Sequence, residues 1–316
     1  FEGQFLQGKM FFEFDLFYNK RTNILWQRNA SVPQSTGLNL PAENIGEVEN
    51  KGFDLNLGIR GGKGEFKYTA SINGGYAKNS ILFWDESPGA PEWQMSTGRP
   101  MNTGLVYQYD GVFKDQQSID AETLDYSAIT NNLRPGDMKY QDYNGDGKIT
   151  PDDRVRMDQN NIPTFQGGVN LTANWKGFDM SILLQGAAGA RQYISAGESG
   201  NIGNYLSDIY DNRWTIDNPS STDPRLANRS DQYWSGGNTY WFRSSDYLRL
   251  KNVEIGYNIP SHLTEKIGVK NARFYVNGLN LITWSKNKVY DPESDSSLGQ
   301  YYPQARVLNT GLSVSF

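Results

Sequence analysis

Cysteine is absent from the 316 residues, which excludes disulfides, thiol catalysis and cysteine-based zinc sites. Histidine occurs once, at His262, and the sequence has no G-x-S-x-G, no H-E-x-x-H and no phosphate-binding loop. The common catalytic constellations therefore have no residues to be built from, and an enzyme is not expected. Carboxylates that could pair in the glycosidase manner are plentiful, but the sequence does not set their separations. No run of eighteen apolar residues exists, and the mean hydropathy is −0.65, so no helix is expected to span a membrane. Strands remain open as membrane-crossing elements, because they alternate lipid-facing and lumen-facing side chains and read as polar on average. With no basic stripe and no base-stacking platform, nucleic acid is not an expected partner.

What is present points to an all-β chain. There are 33 glycines, and aromatics make up 13% of the residues, which fits a twisted, turn-rich sheet protein. Period-two alternation recurs: Phe12, Phe14, Leu16 and Tyr18 oppose Glu13, Asp15 and Asn19, and Phe53, Leu55, Leu57 and Ile59 oppose Asp54, Asn56 and Arg60. The same pattern runs through 66–76, 165–175, 178–184, 247–259, 272–284 and 306–316, giving eight strands. Alternation alone would suit a soluble sandwich equally well. The connections separate the two. Turns at 61–64, 176–178 and 260–271 are short, while those at about 20–45, 79–163, 191–242 and 285–304 are long. Short and long connections in strict alternation are the plan of an outer-membrane barrel, with periplasmic turns at one end and extracellular loops at the other. Aromatics gather at strand ends, among them Tyr18, Phe53, Tyr76, Phe165, Trp175 and Trp284, where an interfacial girdle would lie.

The stretch from Leu248 to Thr283, LRLKNVEIGYNIPSHLTEKIGVKNARFYVNGLNLIT, is the hairpin on which the rest is patterned. Leu248 and Leu250 fall out of phase with Val253, Ile255, Tyr257 and Ile259, which calls either for a β-bulge near Lys251 and Asn252 or for two separate strands. YLRLKNVEIGYNIP, KIGVKNARFYVNGLNLITW and YDPE at 290–293 resemble the C-terminal signature of the SusC/RagA-type TonB-dependent outer-membrane transporters. So do QRNASVPQSTGLNLPAENIGEVENKGFDLNLG and GDMKYQDYNGDGKITPDDR, whereas Ser285–Val289 departs from the more aromatic, Gly-containing run usual in that family.

The resemblance implies that the chain is the C-terminal eight strands of a larger barrel of about 22 strands, with the signal peptide and plug domain lying outside it. The opening FEGQFLQGKMFFEF is already strand-like and shows no basic n-region. The implied function is import, across the outer membrane of a Gram-negative bacterium, of a nutrient too large for porins, an oligosaccharide or oligopeptide. The implied partners are a SusD-like surface lipoprotein acting as a lid, the TonB–ExbB–ExbD complex acting through the plug, and outer-membrane lipid. A non-transporting scaffold barrel and a soluble calcium-dependent carbohydrate-binding β-protein are the alternatives. The terminal Phe316 on an amphipathic strand resembles the signal read by the outer-membrane assembly machinery; an ordinary closing strand would look the same.

One motif carries metal chemistry. Asp142, Asn144, Asp146, Gly147, Lys148 and Asp153 match a D-x-[DN]-x-[DN]-G loop with an acidic twelfth position, so Ca2+ is expected on the side chains of Asp142, Asn144, Asp146 and Asp153 and the Lys148 carbonyl. Aspartate stands at position twelve, where an EF-hand has glutamate, and the flanks are not helical; an acidic solvated turn is the simpler alternative. The segment 79–163 holds fourteen acidic and seven basic residues, a net −7 that leaves the remainder near +2. Trp84, Trp93, Trp214, Trp234 and Trp241 lie in the long loops, where they suit ligand contact, a protein partner or packing.

Overall fold

The computed structural model describes residues 1–28, 40–194, 207–220, 222–227, 231, 233, 236–294 and 302–316. In chain order the strands are β1 (Glu2–Phe5), β2 (Met10–Gln27), β3 (Ala42–Lys63), β4 (Phe66–Phe83), β5 (Leu105–Val106), β6 (Tyr109–Val112), β7 (Met138–Tyr140) and β8 (Val155–Arg156). They continue as β9 (Phe165–Trp175), β10 (Phe178–Ala188), β11 (Arg191–Tyr193), β12 (Phe242–Ser244), β13 (Tyr247–Ile259), β14 (Asn271–Ser285) and β15 (Val307–Ser315). Nine of them form one antiparallel sheet in the order β1-β2-β3-β4-β9-β10-β13-β14-β15. All eight expected strands are in it, and β1 adds a short ninth at the edge. No described helix is long and apolar enough to cross a membrane.

Cross-strand register shows how the alternation sorts the two faces. One row reads Phe12, Leu57, Ile72, Val169, Leu184, Leu250 and Ile282 across seven neighbouring strands. The adjacent row reads Glu13, Asn56, Asn73, Gly168, Gln185, Arg249 and Thr283. The first face is apolar yet exposed, with Leu57, Ile72, Ile255, Phe274, Val276 and Leu312 all open. The second is polar and bears the loops, which bury Ile81, Ala187 and Arg249 against it. An apolar face left bare while a polar face is covered inverts the arrangement of a water-soluble protein.

Turn chemistry fixes the short connections. Lys176 and Gly177 both have positive φ, as a two-residue hairpin of the primed type requires. The β13–β14 connection is a helical turn at Ser261–Thr264 and a 3-10 turn at Glu265–Ile267, ended by Gly268 at φ 75°. The out-of-phase leucines of β13 are resolved by a bulge: pairing with both neighbours skips Lys251, passing from Leu250 to Asn252.

Strand lengths correct the loop boundaries. β2 runs to Gln27 and β3 starts at Ala42, so the expected 20–45 loop shrinks to 28–41. Lys20 pairs with Glu47 at 2.7 Å and Arg28 with Glu43 at 3.2 Å, and the register shifts between Arg21 and Ile24 and between Ile24 and Leu25, which break the period-two pattern of this extension. β4 likewise reaches Phe83, and β14 ends at Ser285 with β15 beginning at Val307.

Candidate functional site

The polar face and the loops above it form the candidate site. Its best-defined anchor is Arg249, which is 1% exposed. Its Nη2 donates to both Asp291 carboxylate oxygens at 2.7 and 2.9 Å, Nη1 donates to Glu293, and Nε donates to Thr283 Oγ1 at 3.0 Å. The bulge puts Lys251 on the same side, and its Nζ lies 3.4 Å from Glu293 and 3.2 Å from Gln304. The Tyr247 hydroxyl donates to Glu293 at 2.9 Å. A planar guanidinium fork facing two carboxylates is the geometry for which arginine is suited and lysine is not. The bulge and the YDPE segment are thus two halves of one clamp, which ties residues 290–293 to the sheet.

The two longest loops make a single module. Tyr107 pairs with Asn238 in a parallel bridge, Tyr107 N donates to Gly237 O at 3.1 Å, and Thr239 N donates to Tyr107 O at 3.0 Å. Tyr107, Phe113, Tyr126, Met138, Tyr140, Ile149, Tyr233 and Trp241 are buried together as its core. Two of its hydroxyls find internal acceptors, Tyr140 donating to Tyr233 O at 2.9 Å and Tyr233 to Met138 O at 2.6 Å, whereas the buried Tyr107 hydroxyl has no partner among the described residues. Burial pushes the Tyr107 phenol up to about 12. Gly136, at φ 86°, sits under the Trp214 ring, where a Cβ would lie 2.6 Å from the nearest ring atom. Any side chain there would drive the 207–220 segment off the module.

The 142–153 loop curls as its glycines allow, with Gly145 and Gly147 at φ 76° and 80°. The Asp142 carboxylate accepts N–H bonds from Gly147 at 2.8 Å and Gly145 at 2.7 Å, which hold it below the usual aspartate range. The side-chain oxygens of Asn144 and Asp146 accept from Asp146 N and Lys148 N at 2.9 and 2.8 Å. Asp153 is fully buried; one of its oxygens accepts from Tyr143 N at 2.9 Å and the other from Thr150 N at 2.7 Å. Ile149 is fully buried in the module core and bonds through its N–H to Asp125 O at 2.8 Å, which anchors the loop. By donor type the set suits a hard cation. Among the described residues, however, no three His, Cys, Asp or Glu side chains gather as a metal cage, since these oxygens turn to the backbone.

No family model matches the chain. It is 29% identical over 348 residues to TonB-dependent receptor P26 of Formosa agariphila, covering all of this chain and 34% of that protein. TonB-dependent receptor P3 of the same organism is 28% identical over 331 residues, covering 96% of this chain and 32% of that protein. Among solved structures, the RagAB peptide transporter superposes with a TM-score of 0.70 at 23% identity, covering all of this chain and 34% of that one. The RagAB peptide importer in its open-open state gives a TM-score of 0.70 at 22% identity, covering 98% of this chain and 33% of that one. The chain resembles the SusC/RagA-type TonB-dependent transporters along its whole length. It spans about a third of the length of the curated relatives it matches. Those relatives are named as receptors, which is compatible with a chain that is not an enzyme.

Within this transporter-like fold the sequence-derived site residues fall into distinct places. Trp84 packs against Trp26 with ring centroids 3.9 Å apart. Trp93 donates to Asp152 O at 2.9 Å and lies against Tyr143. Trp214 donates to Lys114 O at 2.9 Å. Trp241, at 4% exposure, belongs to the module core, the packing role among the three that the sequence left open. Trp234 lies outside the described residues. Phe316 follows β15 and is 78% exposed, on the face of Leu308, Leu312 and Val314. The Arg249 clamp went unrecognised in the sequence. Its signal was there, an arginine two residues before the bulge and two acids in YDPE, but nothing local links positions 42 to 44 residues apart.

Proposed function

We propose that this chain forms part of the C-terminal wall and the extracellular cap of an outer-membrane barrel that imports large nutrients, an oligopeptide or oligosaccharide, in a Gram-negative bacterium. The observation that carries the reading is the exposed apolar face set against a polar, loop-bearing one. β9 places Phe165 and Trp175 at the two ends of its eleven residues, roughly 33 Å along the strand at about 3.3 Å per residue. A tilt of about 40° brings this to roughly 25 Å, the height of the apolar band on such barrels. The TonB-dependent receptors and the RagAB importer that the chain resembles support nutrient import. Energy would come from the TonB–ExbB–ExbD complex through a plug outside this chain, and a SusD-like lipoprotein, the partner the sequence resemblance implies, would cover the loop module. Phe316 would then serve as the assembly signal.

The partner is tested by extracting the tagged protein from outer membranes in mild detergent. A surface lipoprotein is expected to co-purify in equal amount, and the 79–163 and 191–242 loops to be more protease-resistant with it than without. A barrel that purifies alone, with loops equally resistant, would favour the scaffold reading.

Calcium belongs to the same proposal. Asp142, Asn144, Asp146, the Lys148 carbonyl and Asp153 would hold it, and the ion would cross-link a loop whose carboxylates accept chiefly from its own backbone N–H groups. Chelation is expected to open 142–153 to protease while the sheet stays folded, and Asp142→Ala with Asp146→Ala to do the same without chelator. Unchanged resistance under chelation would leave the loop as an acidic turn.

A further inference from the structure

The connection between β13 and β14 lies against the apolar side of the sheet. Ala272 falls on that side, opposite Ile259 and Val314. Phe274 and Val276, the next two residues on the same side, are open, whereas Ala272 is 7% exposed and Thr264 and Val269 are buried with it. The helical turn at Ser261–Thr264 touches β14, and Val269 N donates to Thr264 O at 3.1 Å. The connection thus folds back over the last step of the apolar face. Leu263 and Ile267, one helical turn apart, are left open on it at 52% and 76% exposure. Charge gathers at the same end. The short connections bring Lys63, Lys176 and Lys270 there, all exposed and none with a carboxylate partner among the described residues. Lys176 Nζ lies 5.5 Å from the centre of the Trp175 ring, beside the exposed Phe178.

We propose, on the outer-membrane reading above, that the 260–270 connection is a membrane-surface anchor. Leu263 and Ile267 enter the acyl boundary of the periplasm-facing leaflet, and Lys63, Lys176 and Lys270 hold the phosphates of its phospholipids. Three observations select lipid as the occupant. The exposed pair continues the apolar face of the sheet instead of forming a patch of its own. Aromatic rings and unpaired lysines at the same level are what an interface between acyl chains and headgroups takes, since a lysine stem lies along apolar surface while its ammonium reaches a phosphate. A turn that is apolar outward and flanked by cations lies in the plane of such an interface. A protein partner is disfavoured by size: two side chains fall far short of the roughly 1,000 Å² that a specific protein interface buries.

The test uses the complete protein in vesicles that contain phosphatidylglycerol. These 316 residues hold no cysteine, so once any cysteine elsewhere is replaced, a spin label can be set at Leu263→Cys, Ile267→Cys, Glu265→Cys or Leu171→Cys. Its accessibility to oxygen and to a water-soluble nickel chelate reads its depth. Labels at 263 and 267 are expected to exclude nickel severalfold better than the label at the exposed Glu265, and to lie shallower than the label at 171. Nickel access at 263 and 267 equal to that at 265, with 171 buried in lipid, overturns the proposal and spares the membrane reading; nickel access at 171 as well overturns both. Exclusion seen in native outer membranes but lost in vesicles of lipid alone makes a periplasmic protein the occupant and overturns the lipid assignment. Lys63→Gln, Lys176→Gln and Lys270→Gln together are expected to strip most of the phosphatidylglycerol that the unaltered protein carries through detergent exchange. Undiminished retention overturns the role of the lysines.

Discussion

Arg249→Met is expected to release the 286–306 loop from the wall. The change removes the guanidinium fork from Asp291 and Glu293, at 14% and 21% exposure, and leaves Glu293 only Lys251, Tyr247 and Gln304 as side-chain donors. Removing one partner of a buried ion pair costs about 3–5 kcal/mol, and the partial access of these carboxylates to water argues for the lower end, about 3 kcal/mol. That favours the open loop by roughly a hundredfold. Limited proteolysis should show new cleavage within 286–306 while the sheet keeps its heat-modifiable gel migration. Arg249→Lys should rescue little, since a single ammonium cannot reproduce bonds to Asp291, Glu293 and Thr283 together. If Arg249→Met leaves the cleavage pattern unchanged, the clamp is not what holds the loop.

The second large effect concerns which face meets lipid. Leu171 pairs with Ala70 and Ile182 on the apolar face, and the next residue, Asn170, pairs with Ser71 on the polar one. Arginine at Leu171 is expected to cost roughly 2–4 kcal/mol near mid-bilayer, and arginine at Asn170 much less. Assembly yield in outer membranes and the urea midpoint of refolding into vesicles would report the difference. Equal defects at both positions would refute the membrane assignment.

The sheet was legible because its cause is local. A side chain two residues on lies on the same face, so apolar alternation marked the strands, and the phase slip at Leu250 to Val253 marked the bulge. The β2 and β3 extensions were not legible, because the register slips twice, between Arg21 and Ile24 and between Ile24 and Leu25, and the ion-paired Lys20, Glu47, Arg28 and Glu43 carry no alternation. The loop module was harder still. Tyr107, Tyr140, Tyr233 and Trp241 are assembled from distant segments, so aromatics that read equally well as partner contacts proved to be a core. The curl of the 142–153 loop was readable from Gly145 and Gly147, but not the turning of Asp153 toward backbone donors.

The bridge between Tyr107 and Asn238 also bears on the order in which the molecule is put together. Its flanking contact, from Tyr109 to Thr239, spans 130 residues, whereas β9 and β10 meet across the Lys176–Gly177 turn. Closing the longer span costs about 3 kcal/mol more in chain entropy, at about 0.6 kcal/mol per doubling. Nothing repays this until β9 and β10, which lie between the two segments, have brought their ends together. The hairpins should therefore zip early and the module condense last, on a rim that already exists. A mutation in the aromatic core would then quicken the module's opening and leave the rate of sheet formation untouched.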